Sequence, residues 1–143
     1  MNLRRWMAIS ALVALVLVGA EPAGAQADVT GLLVESYDLL EAGKLDQAQK
    51  IFEKVLQQDP GNPLALNNLG YLMVKEKKYR EALTYLEQAL PRAKGYKVMI
   101  NRVCDVQGIC LAFRPLQEVY GNQELESLVR LNIAMVKARL ATR

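Results

Sequence analysis

The residues of this 143-residue chain whose chemistry is most specific are its two cysteines, Cys104 and Cys110. In an oxidising compartment a pair separated by five residues most simply forms a structural disulfide. The loop it would close is short, so its benefit lies in fixing local shape, at the low end of the usual ~2–4 kcal/mol. A second reading is a thiol–disulfide exchange pair, although the spacing is not the two-residue spacing of thiol oxidoreductases and no neighbouring residue is placed to lower a thiol pKa. A closed zinc site needs four ligands, and the chain has no histidine to add to its two thiols. The lack of histidine also removes the usual proton carrier near neutrality. No G-x-S-x-G, G-x-x-x-x-G-K-[ST] or G-x-G-x-x-G loop occurs, and serine and threonine are few and scattered. The sequence therefore points away from an enzyme, a metalloprotein or a cofactor carrier and towards contact with other molecules.

The elements that would make such contacts lie between residues 28 and 95. Leu66, Leu69, Gly70 and Met73 share one helical face, and Tyr79, Ala82, Leu86, Ala89 and Leu90 share a face of a following helix. Gly70 and Ala82 are small residues placed where two antiparallel helices would cross closely. The pattern occurs twice at an interval of 34 residues: Leu32 answers Leu66, Ser36 answers Gly70, Leu39 answers Met73, Leu45 answers Tyr79, Ala48 answers Ala82, Phe52 answers Leu86 and Leu56 answers Leu90. Such a period is the signature of a repeat.

This pattern resembles the tetratricopeptide repeat family, whose unit is a helix, a tight turn and a second helix closed by a proline. Pro60 stands in the closing slot of the first unit, whereas the second has Lys94 there and Pro91 three residues earlier. Both units place leucine in the family's first aromatic slot, and Glu35 replaces the usual leucine. The expected architecture is all-α: two helix–turn–helix units (28–61 and 62–95), a cysteine-containing segment (96–121) and a C-terminal helix (122–143). The first unit is expected to pair helices from about Asp28 to Glu41 and Asp46 to Gln58, with Asp28 and Asp46 as N-caps and Gly43 in the turn. The second pairs Leu64 to Glu76 with Tyr79 to about Ala93, stopped by Gly95.

Stacked units form an arc whose inner wall comes from the first helix of each pair. Leu33, Tyr37 and Leu40 of the first unit and Asn67, Asn68, Tyr71 and Lys75 of the second are expected there. The resemblance implies that this wall takes an extended peptide or a partner helix. Tyrosine suits that task with a large rigid face, and asparagine can bond a peptide backbone in both directions. The competing reading is that Tyr37 and Tyr71 pack against the next unit or the C-terminal segment.

The segment Val98 to Ile109 is rich in β-branched residues and reads as a β-hairpin, with Val106-Gln107-Gly108 as its loop and Cys104 facing Cys110. A third first-helix through Ile100, Val103 and Cys104 is the alternative. From about Gln123 to Leu140, Leu125, Leu128, Val129, Val136 and Leu140 form a single apolar stripe. This helix is expected to cap the array. If its stripe were exposed, it would become an interface for self-association or a partner.

The chain opens with Arg4 and Arg5, continues as an uncharged, mostly apolar run from Met7 to Val18, and reaches Ala23-Gly24-Ala25 after a break at Glu21 and Pro22. This is the pattern of a secretory signal peptide, residues 1–25, with cleavage after Ala25 or Ala27. The apolar run is shorter than the ~20 residues that span a bilayer, so a membrane anchor is the weaker alternative. The expected location is the bacterial periplasm. Cleavage after Ala25 removes Arg4, Arg5 and Glu21 from 18 basic and 15 acidic residues, leaving 16 and 14. The near balance conceals a polarity: Asp28 to Pro60 holds seven acids and three bases, and Gly61 to the end holds seven acids and thirteen bases. Such a split can steer a partner or favour head-to-tail self-contact. Nucleic acid is not an expected partner, because the basic residues are dispersed and no aromatics are interleaved with them for stacking.

Overall fold

In a computed structural model, the described residues are 23–99, 109, 113–115 and 123–142. They form α1 (Ala23–Glu41), α2 (Leu45–Gln58), α3 (Pro63–Lys75), α4 (Tyr79–Ala93), β1 (Lys97–Met99), β2 (Phe113–Pro115), β3 (Gln123–Glu124) and α5 (Leu125–Ala141). The architecture is all-α, with two antiparallel helix pairs, α1/α2 and α3/α4, followed by α5 lying along α4. Asp28 is not a cap, because α1 begins five residues earlier, at Ala23. Asp46 is not a cap either: Lys44 holds the N-cap position of α2, and Asp46 lies in the first turn, where a negative charge suits the helix dipole.

The two units repeat in detail as well as in pattern. In the α1–α2 turn Gly43 has φ +70°, with Gly43 N–H donating to Leu40 O and Lys44 N–H to Leu39 O. Thirty-four residues later, in the α3–α4 turn, Lys77 has φ 62°, and Lys77 and Lys78 donate to Val74 O and Met73 O. Both turns satisfy helix-end carbonyls through a left-handed residue, a conformation natural to glycine and strained for lysine.

Helix α3 is the centre of the fold. It is apolar on nearly every side and buried from Pro63 to Val74, as an all-round apolar helix must be. Pro63 occupies the first turn, and the Asn62 side chain caps the helix by accepting from Ala65 N–H at 3.0 Å. Helices α2 and α4 each bury one stripe: Ala48, Phe52 and Val55 on α2, and Ala82, Leu86, Ala89 and Ala93 on α4. At the α3/α4 crossing a Cβ on Gly70 would stand 2.8 Å from Leu86 Cγ and 3.3 Å from Ala82 O. Contact at this range is what the small residues Gly70 and Ala82 permit. Ser36, the counterpart of Gly70 in α1, is fully buried and donates its hydroxyl to Leu33 O at 2.8 Å.

Past Gly95, whose φ is +73°, the chain turns into β1. This strand is the middle of a three-stranded antiparallel sheet ordered β2-β1-β3, pairing Val98 with Pro115 and Met99 with Phe113 on one side and Lys97 with Glu124 on the other. Residues 100–108 and 110–112 lie outside the described residues, and with them the expected hairpin loop and both cysteines. Strand β2 lies against α1, and Val98, Ile109 and Leu125 are buried in the common core. In α5, Leu125, Leu128, Val129 and Val136 are buried and Leu140 is half-buried, so the apolar stripe is spent on the array itself. A backbone bond from Leu125 N–H to Tyr96 O (3.0 Å) ties the start of α5 to the turn between α4 and β1.

Candidate functional site: the first-helix wall

The wall expected to receive a partner is formed by α1 and α3, and the structure places Leu33, Tyr37, Leu40, Asn67, Asn68, Tyr71 and Lys75 on those two helices. Six of them are buried: Leu33 is 3% exposed, Tyr37 5%, Leu40 8%, Asn67 0%, Asn68 2% and Tyr71 8%. Lys75 stands exposed at the C-terminal end of α3, its ammonium 5.6 Å from the centre of the Tyr71 ring, within range of a cation–π contact. Tyr37 donates its hydroxyl to the Glu41 carboxylate one turn on.

The two asparagines owe their burial to a partner far away in sequence. Asn132 of α5 is fully buried and donates from Nδ2 to Asn67 Oδ1 at 3.0 Å, and Asn67 donates in turn to Asn68 Oδ1 at 3.1 Å. This amide chain fixes α5 across α3, since an amide left unpaired at that depth would be costly. Asn132 escaped sequence reasoning, although it falls on the same side of α5 as Leu125, Leu128, Val129 and Val136, and a polar residue on an apolar stripe is a signal of a buried partner.

A second polar cluster joins the two repeats at their linker. Arg92 Nη1 donates to Asp59 Oδ1 at 2.8 Å, and Asn62 Nδ2 donates to Asp59 Oδ2 at 3.1 Å. Tyr96 belongs to the same cluster; burial pushes its phenol above the ordinary value of 10.0, against a lowering hydrogen bond with Asn62. At the α3–α4 turn, Lys77, Lys78, Tyr79, Arg80, Glu81 and Leu140 line an open depression of about 480 Å³. Lys78 is raised there by its hydrogen bond to Glu76 and by the charge of that carboxylate, at 2.6 Å. Cys104 and Cys110, expected as a disulfide, lie outside the described residues.

Helix pairs repeating at 34 residues, with small residues at each crossing and a left-handed turn inside each unit, define a helical repeat module. Residues 39–97 match the family model of the tetratricopeptide repeat, and this part of the chain is a tetratricopeptide repeat array. Such repeats serve as protein–protein interaction modules, and that is the general role the match supports here. No curated protein and no solved structure matches the chain.

Proposed function

We propose that the protein is an exported, non-enzymatic adaptor of the cell envelope, which holds a peptide or partner protein on the α1/α3 side of its repeat array. The observation that carries this reading is the tetratricopeptide match over residues 39–97 on an array whose helix pairs are built as the family's are. Lys75 is the exposed rim of the wall, and Tyr71 beneath it supplies the ring over which the ammonium rests. Leu33, Tyr37, Leu40, Asn67 and Asn68 form the buried floor beneath this rim, with the two asparagines held by Asn132 of α5. In this reading residues 1–25 direct export, and Cys104 and Cys110 form a structural disulfide in the oxidising compartment.

No helix among the described residues is long and apolar enough to cross a membrane; the apolar run Met7 to Val18 lies outside them. Capture from envelope extracts by the purified protein, in parallel with a folded Lys75→Glu variant, tests the reading. A single enriched partner that the variant loses is expected. Equal capture by both proteins, or recovery of the protein in the cytosolic fraction alone, would overturn it.

A further inference from the structure

Two faces of the array are left open at its opposite ends, and their charges are complementary. On α5, the face opposite the buried stripe carries Ser127, Leu131, Ala134 and Ala138, all exposed. Leu131 is 46% exposed, the large apolar residue that stands out on the described surface. The charged side chains on this face are Arg130 and Lys137, whose side chains are 62% and 56% exposed. On α1, the face opposite Leu33, Tyr37 and Leu40 carries Gly31, Glu35 and Asp38, also exposed, with Glu41 at its edge and Ala42 continuing it in the turn. The two stripes share the alternating four-and-three spacing along which one helix packs on another at a shallow angle. Gly31 and Ala42 on one, and Ala134 and Ala138 on the other, let the backbones approach.

We infer that the outward face of α5 in one copy docks on the outward face of α1 in a second copy, giving head-to-tail association. Arg130 and Lys137 then meet Glu35 and Asp38, and Leu131 is covered by the neighbouring copy. Both cations already have acidic neighbours in their own chain, Arg130 with Glu126 (2.7 Å) and Lys137 with Glu87 (3.2 Å), and Asp38 is likewise engaged within its own chain. Such exposed pairs are held weakly, and a guanidinium has further N–H groups to offer a second carboxylate. The wider charge distribution acts in the same sense, since residues 28–60 are net acidic and the rest of the chain is net basic. That asymmetry orients approaching copies before contact.

Because the docked faces are different surfaces of the chain, the contact is heterologous and is free to propagate. A helix of 17 residues is roughly 25 Å long, so one such face buries less than a standard interface. The association is therefore weak, sensitive to salt and visible at high protein concentration. It differs from partner binding in surface, since neither face includes Lys75 or the α1/α3 wall.

Sedimentation velocity of the purified protein, from micromolar to ~1 mM and at low and high salt, tests the inference. Wild type is expected to show a concentration-dependent shift beyond the monomer that high salt reduces. The variant Arg130→Glu/Lys137→Glu makes both faces acidic, and Glu35→Lys/Asp38→Lys makes both basic; each is expected to weaken association about tenfold or more. All four positions are exposed, and circular dichroism should show both variants folded. Mixing the two variants restores complementary faces, so association is expected to return. A wild type monomeric throughout, variants that associate like wild type, or a mixture that stays monomeric would each overturn the inference. Failure of this test leaves capture through Lys75 untouched, and the reverse also holds.

Discussion

Replacing Gly70 with alanine tests the α3/α4 crossing with the smallest possible addition. The new Cβ would stand 2.8 Å from Leu86 Cγ, 3.0 Å from Leu86 Cδ2 and 3.3 Å from Ala82 O. Leu86 is 1% exposed, so its branch carbon has no free space to enter, and the Ala82 carbonyl belongs to the α4 backbone. Overpacking a close-packed site costs about 1–3 kcal/mol. Alanine in a helix interior returns about 1 kcal/mol relative to glycine, which leaves a net loss of about 1 kcal/mol, within a range of roughly 0–2. The clash is isolated by a double-mutant cycle with Leu86→Ala, which alone should cost ~2–5 kcal/mol by opening a cavity. In the double variant the methyl added at position 70 has room while the gain in helix propensity remains, so the combined loss should fall short of the sum by the relieved overpacking, ~1–3 kcal/mol. Urea denaturation monitored by circular dichroism supplies all four stabilities. Gly70→Ala more stable than wild type by ~1 kcal/mol, with additive effects in the cycle, would show that only helix propensity is at work and refute the tight crossing.

Three further outcomes are expected. Lys77→Gly should stabilise the protein by roughly 0.5–1 kcal/mol, because lysine at φ 62° is strained where glycine is not; a loss in urea midpoint would contradict the assigned turn. Asn132→Leu should cost about 1–3 kcal/mol by leaving Asn67 Oδ1 without its donor at full burial, and an unchanged unfolding free energy would argue against α5 being pinned there. Tyr96 should ionise later than an exposed tyrosine: its folded pKa is raised above 10.0 by burial, so the stability it contributes is complete below pH 10 and is lost as pH rises through the folded value. Phenolate absorbance should therefore show a late-titrating fraction that Tyr96→Phe removes.

The 34-residue period made the helix pairs legible because its slots have local causes: small residues where helices cross and Gly43 in the first turn, whereas Lys77, the left-handed residue of the second turn, carries no such signal. Helices α2, α3 and α4 accordingly fall within a residue of their expected bounds at every end. Their caps were less legible. Asp46 has the type of a cap but sits past the true start of α2, while α3 is capped by Asn62, a linker residue not among the expected caps. The first-helix wall was legible as a surface, and its cover only as the competing reading in which Tyr37 and Tyr71, here 5% and 8% exposed, pack against the next unit or the C-terminal segment. Tyrosines and asparagines on the face of one helix look available when only that helix is considered. Asn67 is buried by Asn132, 65 residues later, and α1 meets β2 from a segment without helical period. Pairings of that range leave no trace in local spacing. The apolar stripe of α5 is legible as a surface to be buried on the array, whereas its outward face gains meaning only beside the acidic face of α1.

The most direct test of the interaction account is site-specific crosslinking inside the cell. A photoreactive residue at position 75, on the rim of the α1/α3 wall, is compared with one at position 54, on the exposed side of α2. The account predicts a discrete envelope protein crosslinked from position 75 and absent from position 54. Crosslinks of equal yield from both positions, or none from position 75, would contradict it.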